Sequence, residues 1–247
     1  MGGPLAEAYA ALGMEELYSD WDVASGGRDL RRALEINPNF AEARRHYSWY
    51  LSLLGRHEEG LAEMKRAEEL EPLVPLFPAD LAWQHLNSGH LDAAMAEARK
   101  SLELNPNFAQ ALALLGWVYA EKGMYREALA AHQKAALADP AWRWPLGRAY
   151  ALAGSNDQAR SIALEMQKEP GPMEQWGLAV IYAALGEKDQ AFRWLEAAYH
   201  SRFSWMPYNS DFVRPNLFAP LRDDPRFGDI TRRVFVRSGG APPGLHR

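Results

Sequence analysis

Apolar and small residues recur at helical spacing along most of the chain. Between Ala109 and Lys122, the residues Leu112, Leu115, Gly116 and Tyr119 share one face, and between Tyr125 and Ala138 so do Ala128, Leu129, Ala135 and Ala138. The pattern predicts two helices. Gly123 falls between them, where a helix C-cap belongs. Pro140 closes the second, because the residue before a proline is biased away from the helical region. Asn105 and Asn107 flank Pro106 in the same role one unit earlier.

This helix pair is repeated. WYLSLLG at 49–55, WQHLNSG at 83–89 and WVYAEKG at 117–123 each run from tryptophan to glycine at intervals of 34 residues, and Pro38, Pro72, Pro106 and Pro140 keep the same beat. Small residues stand where two helix backbones must approach: Ser48, Ala82 and Gly116 before the turn, Gly60, Ala94 and Ala128 after it. Tyr47, Leu81 and Leu115 fill the adjoining column, and Ala33, Ala67, Ser101 and Ala135 let the second helix pack on the next unit.

The columns resemble the tetratricopeptide repeat, met most fully by ALALLGWVYAEKGMYREALAAHQKAALADP at 111–140. Three strict units span 41–142. Register slips outside them: 6–40 carries one extra residue between Gly13 and Ala33, 143–171 follows a shortened linker, and 172–199 comes after the KEPGP break at 168–172. The resemblance implies an all-α fold, a right-handed superhelical solenoid of about six helix-turn-helix units over 5–202.

Beyond residue 200 the beat stops. HSRFSWMPYNSDFVRPNLF is aromatic and irregular, and DDPRFGDITRRVF then offers Asp224 as N-cap, Pro225 at the first helical position and Phe227, Ile230 and Val234 on one face. A terminal repeat leaves an apolar face bare, so residues 203–236 are expected to form a capping segment and helix, with 237–247 a disordered tail.

SDWD at 19–22, GEKDQAFRWLEAAY at 186–199 and LRDDPRFGDI at 221–230 are similar to the C-terminal repeat regions of bacterial multidomain regulators, where such a region follows a winged-helix, serine/threonine kinase or cyclase domain. Helical repeats begin within ten residues of Met1, so the expectation is a stand-alone adaptor or a fragment of a larger regulator.

Trp49, Trp83 and Trp117 lie one residue after the small crossing positions, and about 100° of rotation carries them off the seam within each unit. In the repeat family those columns face the concave groove. Trp144 and Trp176 share that face, and Arg45, Asn87, Glu121 and Arg148 stand among the indoles, so these nine residues are the candidate partner-binding groove. Three fully exposed indoles would exceed the bare apolar patch a soluble monomer usually carries. Two readings stay open: an indole edge left free for a ligand, or pure packing. Aromatic residues of 203–218 could also fold back into the groove. The family's lysine/asparagine carboxylate clamp would want asparagine where the tryptophans stand, so recognition of a chaperone tail is not expected.

Charge and chemistry narrow the function. Of 247 residues, 27 are basic and 32 acidic, for a net charge of -5 with the signs interspersed, which shows no footprint for nucleic acid. Arg31, Arg32, Arg44 and Arg45 read as a solvated helix face. There is no cysteine, no run of about 20 apolar residues and no secretory signal, so a cytoplasmic protein without membrane contact is expected. Histidines 46, 57, 85, 90, 132, 200 and 246 show no metal-ligand spacing, and no nucleophile elbow or phosphate-cradling loop occurs. His132 reads as a core residue. The chain is therefore expected to be non-catalytic, without metal or cofactor, and to bind a peptide or protein, with an upstream effector domain or a second copy as the alternative.

Overall fold

A computed structural model describes residues 3–209 and 217–236, so the tail expected at 237–247 lies outside the described residues. Six antiparallel helix pairs stack in chain order. They are α1 (Gly3–Glu15) with α2 (Val23–Ile36), α3 (Ala41–Leu53) with α4 (His57–Leu70), α5 (Leu76–Asn87) with α6 (Leu91–Leu104), α7 (Ala109–Glu121) with α8 (Tyr125–Ala138), α9 (Arg143–Leu152) with α10 (Asn156–Met166), and α11 (Pro172–Ala184) with α12 (Lys188–His200). A single further helix, α13 (Pro225–Val236), follows. Among the described residues there is no strand.

The turns explain the beat. Gly55, Gly89, Gly123, Gly154 and Gly186 all take φ between 73 and 76°, a left-handed conformation that only glycine adopts without steric cost. In the first pair the equivalent position is Trp21, at φ 59°. The one extra residue of that unit is absorbed just upstream as a π-helical turn over Glu16–Asp20, the usual way an α-helix accommodates an insertion.

Small columns sit at the helix crossings. A Cβ on Gly116 would come within 2.4 Å of the His132 ring, and Ser48 Oγ donates to the Gly60 carbonyl at 2.7 Å. Ala33, Ala67, Ser101 and Ala135 are fully buried. First helices also pack on first helices, α5 on α7 and α9 on α11, which makes them the inner layer.

α13 is held on α12 by charge and aromatic contact. Asp224 accepts from the Arg226 backbone N–H at 3.1 Å, and Phe227, Ile230 and Val234 turn inward. Arg226 lies over Phe192 of α12 at 4.1 Å and reaches Asp189, while Arg233 pairs with Glu196. The two ends of the array also meet. Tyr199 of α12 packs on Trp21 with ring centroids 5.5 Å apart, and Arg202 donates to the carbonyls of Ser19 and Asp20.

Candidate functional site

The first helices bring four of the candidate indoles into one ladder. Trp83 meets Trp117 at 4.5 Å between ring centroids, Trp117 meets Trp144 at 5.1 Å, and Trp144 meets Trp176 at 5.0 Å. These are tilted or edge-to-face contacts, the arrangement that aromatic quadrupoles favour. Trp49 stands at the N-terminal end of the ladder, with its Nε1–H donating to Asp80 at 3.3 Å.

The wall is covered. Trp83, Trp144 and Trp176 are at most 2% exposed and Trp49 and Trp117 below 10%. Their cover is the stretch after α12. Trp205 packs on Trp83 at 5.7 Å, on Trp176 at 5.7 Å and on Trp142 at 6.2 Å, so one indole reaches both ends of the ladder. Phe203 and Phe218 lean on Trp176, and Tyr208 stands edge-on to Trp49. The indoles of the ladder are packed against one another and against this segment, so the groove is no bare aromatic strip. The physical reason is the area at stake: each indole removes roughly 150–250 Å² from water, and a segment rich in aromatic side chains is tethered within reach.

The polar candidates separate into two groups. Asn87 and the exposed Glu121 stand at the C-terminal ends of α5 and α7. Arg148 is partly buried; burial lowers its pKa and the nearby Glu121 opposes that shift. Arg45 belongs elsewhere. Its guanidinium donates to Asp80 at 2.9 Å and to both oxygens of Glu42, so it is no part of a solvated basic face. Burial works against its charge, but Asp80 and Glu42 outweigh that and raise its pKa. Asp80, itself 3% exposed, also accepts from Gln110 Nε2 at 2.6 Å, so the carboxylate is held from α3, α5 and α7 together.

Sequence reasoning missed Asp80, Gln110 and Tyr18. None of them recurs at the 34-residue interval, so the periodic pattern does not reach them. Tyr18 lies in the π-helical turn and bonds His46 Nδ1 at 2.8 Å, while His46 Nε2 meets Glu42 Oε1 at 2.9 Å. Burial lowers the His46 pKa, and its Nε2 lies 2.9 Å from both Glu42 Oε1 and Arg45 Nη2. The hydrogen bond from His46 and the Arg45 guanidinium hold Glu42 well below the usual carboxylate range.

Between this network and the covering segment lies a cavity of about 360 Å³. Tyr18, Arg45, His46, Asp80 and Gln110 form one side, and Trp49, Trp83, Trp205 and Tyr208 the aromatic side. Among the described residues no three His, Asp or Glu side chains converge as a metal site would require, and no helix is long and apolar enough to cross a membrane.

Two family descriptions, each "Tetratricopeptide repeat", match residues 80–108 and 97–130. No curated protein matches the chain in sequence. Solved structures share the fold. A chain of the APC/C hetero-tetramer Cut9–Hcn1 superposes with TM-score 0.62 at 20% identity, over 93% of this chain and 42% of that one. PilF of Pseudomonas aeruginosa gives 0.58 at 14% identity, over 90% and 99%. A thermophilic TPR protein of Thermus thermophilus gives 0.55 at 22% identity, over 74% and 99%. Six stacked helix pairs, five of them turning at a glycine, form the solenoid fold shared with those structures, and the matched models identify tetratricopeptide repeats within it over residues 80–130.

Proposed function

We propose that the chain is a non-catalytic scaffold that takes a peptide or protein partner against its inner face, at the end of the groove where Arg45, Trp49 and Trp83 border the cavity. The observation that carries this reading is the cavity itself, which combines aromatic walls with a fixed polar floor on a fold whose family serves as interaction scaffolds. Asn87, Trp117, Glu121, Trp144, Arg148 and Trp176 extend the same face. On this reading the nearly buried indoles of the ladder hold the wall in shape, and partner contacts concentrate at the cavity. The likeness of the chain's ends to bacterial regulators supports a setting in cytoplasmic signalling or transcription regulation.

A second reading is favoured by one observation. Trp205 lies on Trp83 and Trp176 together, as an internal ligand would, so the segment after α12 fills the remainder of the groove in cis. The two readings combine when the segment lies along the ladder and itself forms one wall of the cavity beside Trp49 and Trp83.

Selection of peptides by display against the full chain tests the proposal. The selected peptides are expected to lose at least about tenfold in affinity for a Trp49→Leu variant, because aromatic anchors dominate such interfaces, and to be indifferent to Tyr125→Ala on an exposed outer position. Peptides insensitive to Trp49 and sensitive to Tyr125 would move the partner to the outer face.

A further inference from the structure

The cavity has walls set at steep angles to one another. Trp49 and Tyr208 meet at 88° with centroids 5.8 Å apart, and Trp83 and Trp205 at 57° and 5.7 Å. Four aromatic rings from α3, α5 and the covering segment thus converge on one space. Aromatic rings attract a cation with a weakly hydrated surface through their π-electron density.

The floor decides the sign of the guest. Arg45 is the cation bordering the cavity, and its Nε, Nη1 and Nη2 already donate to Glu42 and Asp80. An anionic ligand would have to displace a carboxylate from it. Glu42, which lies outside the lining, and Asp80, which lies in it, set two carboxylates against the single guanidinium of Arg45, so the negative charge beside the rings is that of Asp80. Of Asp80's oxygens, Oδ2 is taken by Arg45 and Trp49 and Oδ1 by Gln110, which fixes that charge in place.

We propose that this cavity binds a methylated ammonium group, the aromatic rings of Trp49, Trp83, Trp205 and Tyr208 enclosing it and the Glu42–Arg45–Asp80 cluster balancing its charge. A methylated ammonium suits the space better than a bare one, because its methyl groups fill an apolar box and its hydration is cheaply removed. At 360 Å³ the cavity has room for such a head with a short tail. The group could arrive on a free small molecule or on a methylated lysine of a peptide, and the chemistry of recognition is common to both. This deepens the groove reading by naming what the groove would hold.

Titration of the full chain at constant ionic strength, followed by tryptophan fluorescence and calorimetry, tests it with choline and its neutral carbon isostere 3,3-dimethylbutan-1-ol. Choline is expected to saturate, with the isostere on the order of tenfold weaker, since the two differ in charge and hardly in shape. Trp49→Leu is expected to weaken choline by a similar factor. A short peptide bearing trimethyllysine that binds more tightly than choline assigns the group to a peptide, and the reverse order assigns it to a free small molecule. Equal binding of choline and the isostere, or no saturable response to choline or the peptide, overturns the proposal. Because the isostere comparison uses the unaltered chain, a Trp49→Leu variant that fails to fold leaves it standing. Failure of peptide selection with choline binding intact would sink the partner reading alone.

Discussion

The guanidinium of Arg202 lies 5.2 Å above the Trp21 ring, joining the turn of the first helix pair to the end of the last. Among the described residues these are the two non-glycine positions with positive φ, at 54 and 59°. A left-handed backbone at an ordinary residue costs roughly 1–2 kcal/mol, so the fold accepts strain on both sides of the contact that closes the array. Residues 203–208 start from Arg202, and Trp205 among them packs on both Trp83 and Trp176.

Changing Arg202 to alanine is expected to destabilise by about 0.5–1 kcal/mol, the size of a partly exposed cation–π contact. Arg202→Gly should lose less, since glycine relieves the backbone. Urea denaturation of both variants checks the order, and hydrogen exchange at 203–208 should rise in Arg202→Ala. Unchanged exchange there would mean that the closing contact does not hold the covering segment.

Trp205→Ala is expected to uncover the groove while the six pairs persist. Helical circular dichroism should be retained, and binding of a hydrophobic dye should increase as Trp83 and Trp176 lose their cover. By contrast, Trp117→Ala removes a side chain packed between Trp83, His132 and Trp144, and should cost about 3–5 kcal/mol. Equal melting points for the two variants would contradict the assignment of one indole to the cover and the other to the wall.

Gly116→Ala illustrates a sign decided by packing. In an open helix the change would stabilise by about 1 kcal/mol. Here the added methyl would meet the His132 ring at 2.4 Å, and that ring is itself 1% exposed with nowhere to retreat. A loss of about 1–3 kcal/mol is expected from overpacking. A melting temperature equal to or above that of the unaltered chain would refute the crossing geometry.

His132 also makes stability depend on pH. Burial, aided by Arg148, pushes its pKa down to about 3, whereas the unfolded chain titrates near 6.5. Below that value the unfolded state binds a proton that the folded state refuses. Stability is therefore full above about pH 6.5 and falls as the pH drops toward 3, by about 2 kcal/mol at pH 5 from this residue alone. Denaturation of the unaltered chain and of His132→Leu at pH 7.5 and 5.0 should show a shallower loss in the variant.

Asp80→Asn is expected to cost about 3 kcal/mol, because Arg45 then lies partly buried with one carboxylate fewer and Trp49 loses a charged acceptor. A double-mutant cycle with Arg45→Met isolates the pair, and a coupling near zero would show the two residues to act independently.

The helix pairs were legible in the sequence because their causes are local. A glycine that can take positive φ, a proline that stops a helix and a small residue at each crossing act within one unit, and repetition every 34 residues multiplies the signal. The inner position of the indoles was legible for the same reason, since a rotation of about 100° per residue fixes their direction. Tertiary structure alone decided what covers them. Small rotations from unit to unit accumulate until Trp21 and Arg202 meet, and no local pattern records that sum. Nor does periodicity reach Asp80, Gln110 and Tyr18, each placed once, or the segment 203–208, whose aromatic side chains find their partners in units far away along the chain.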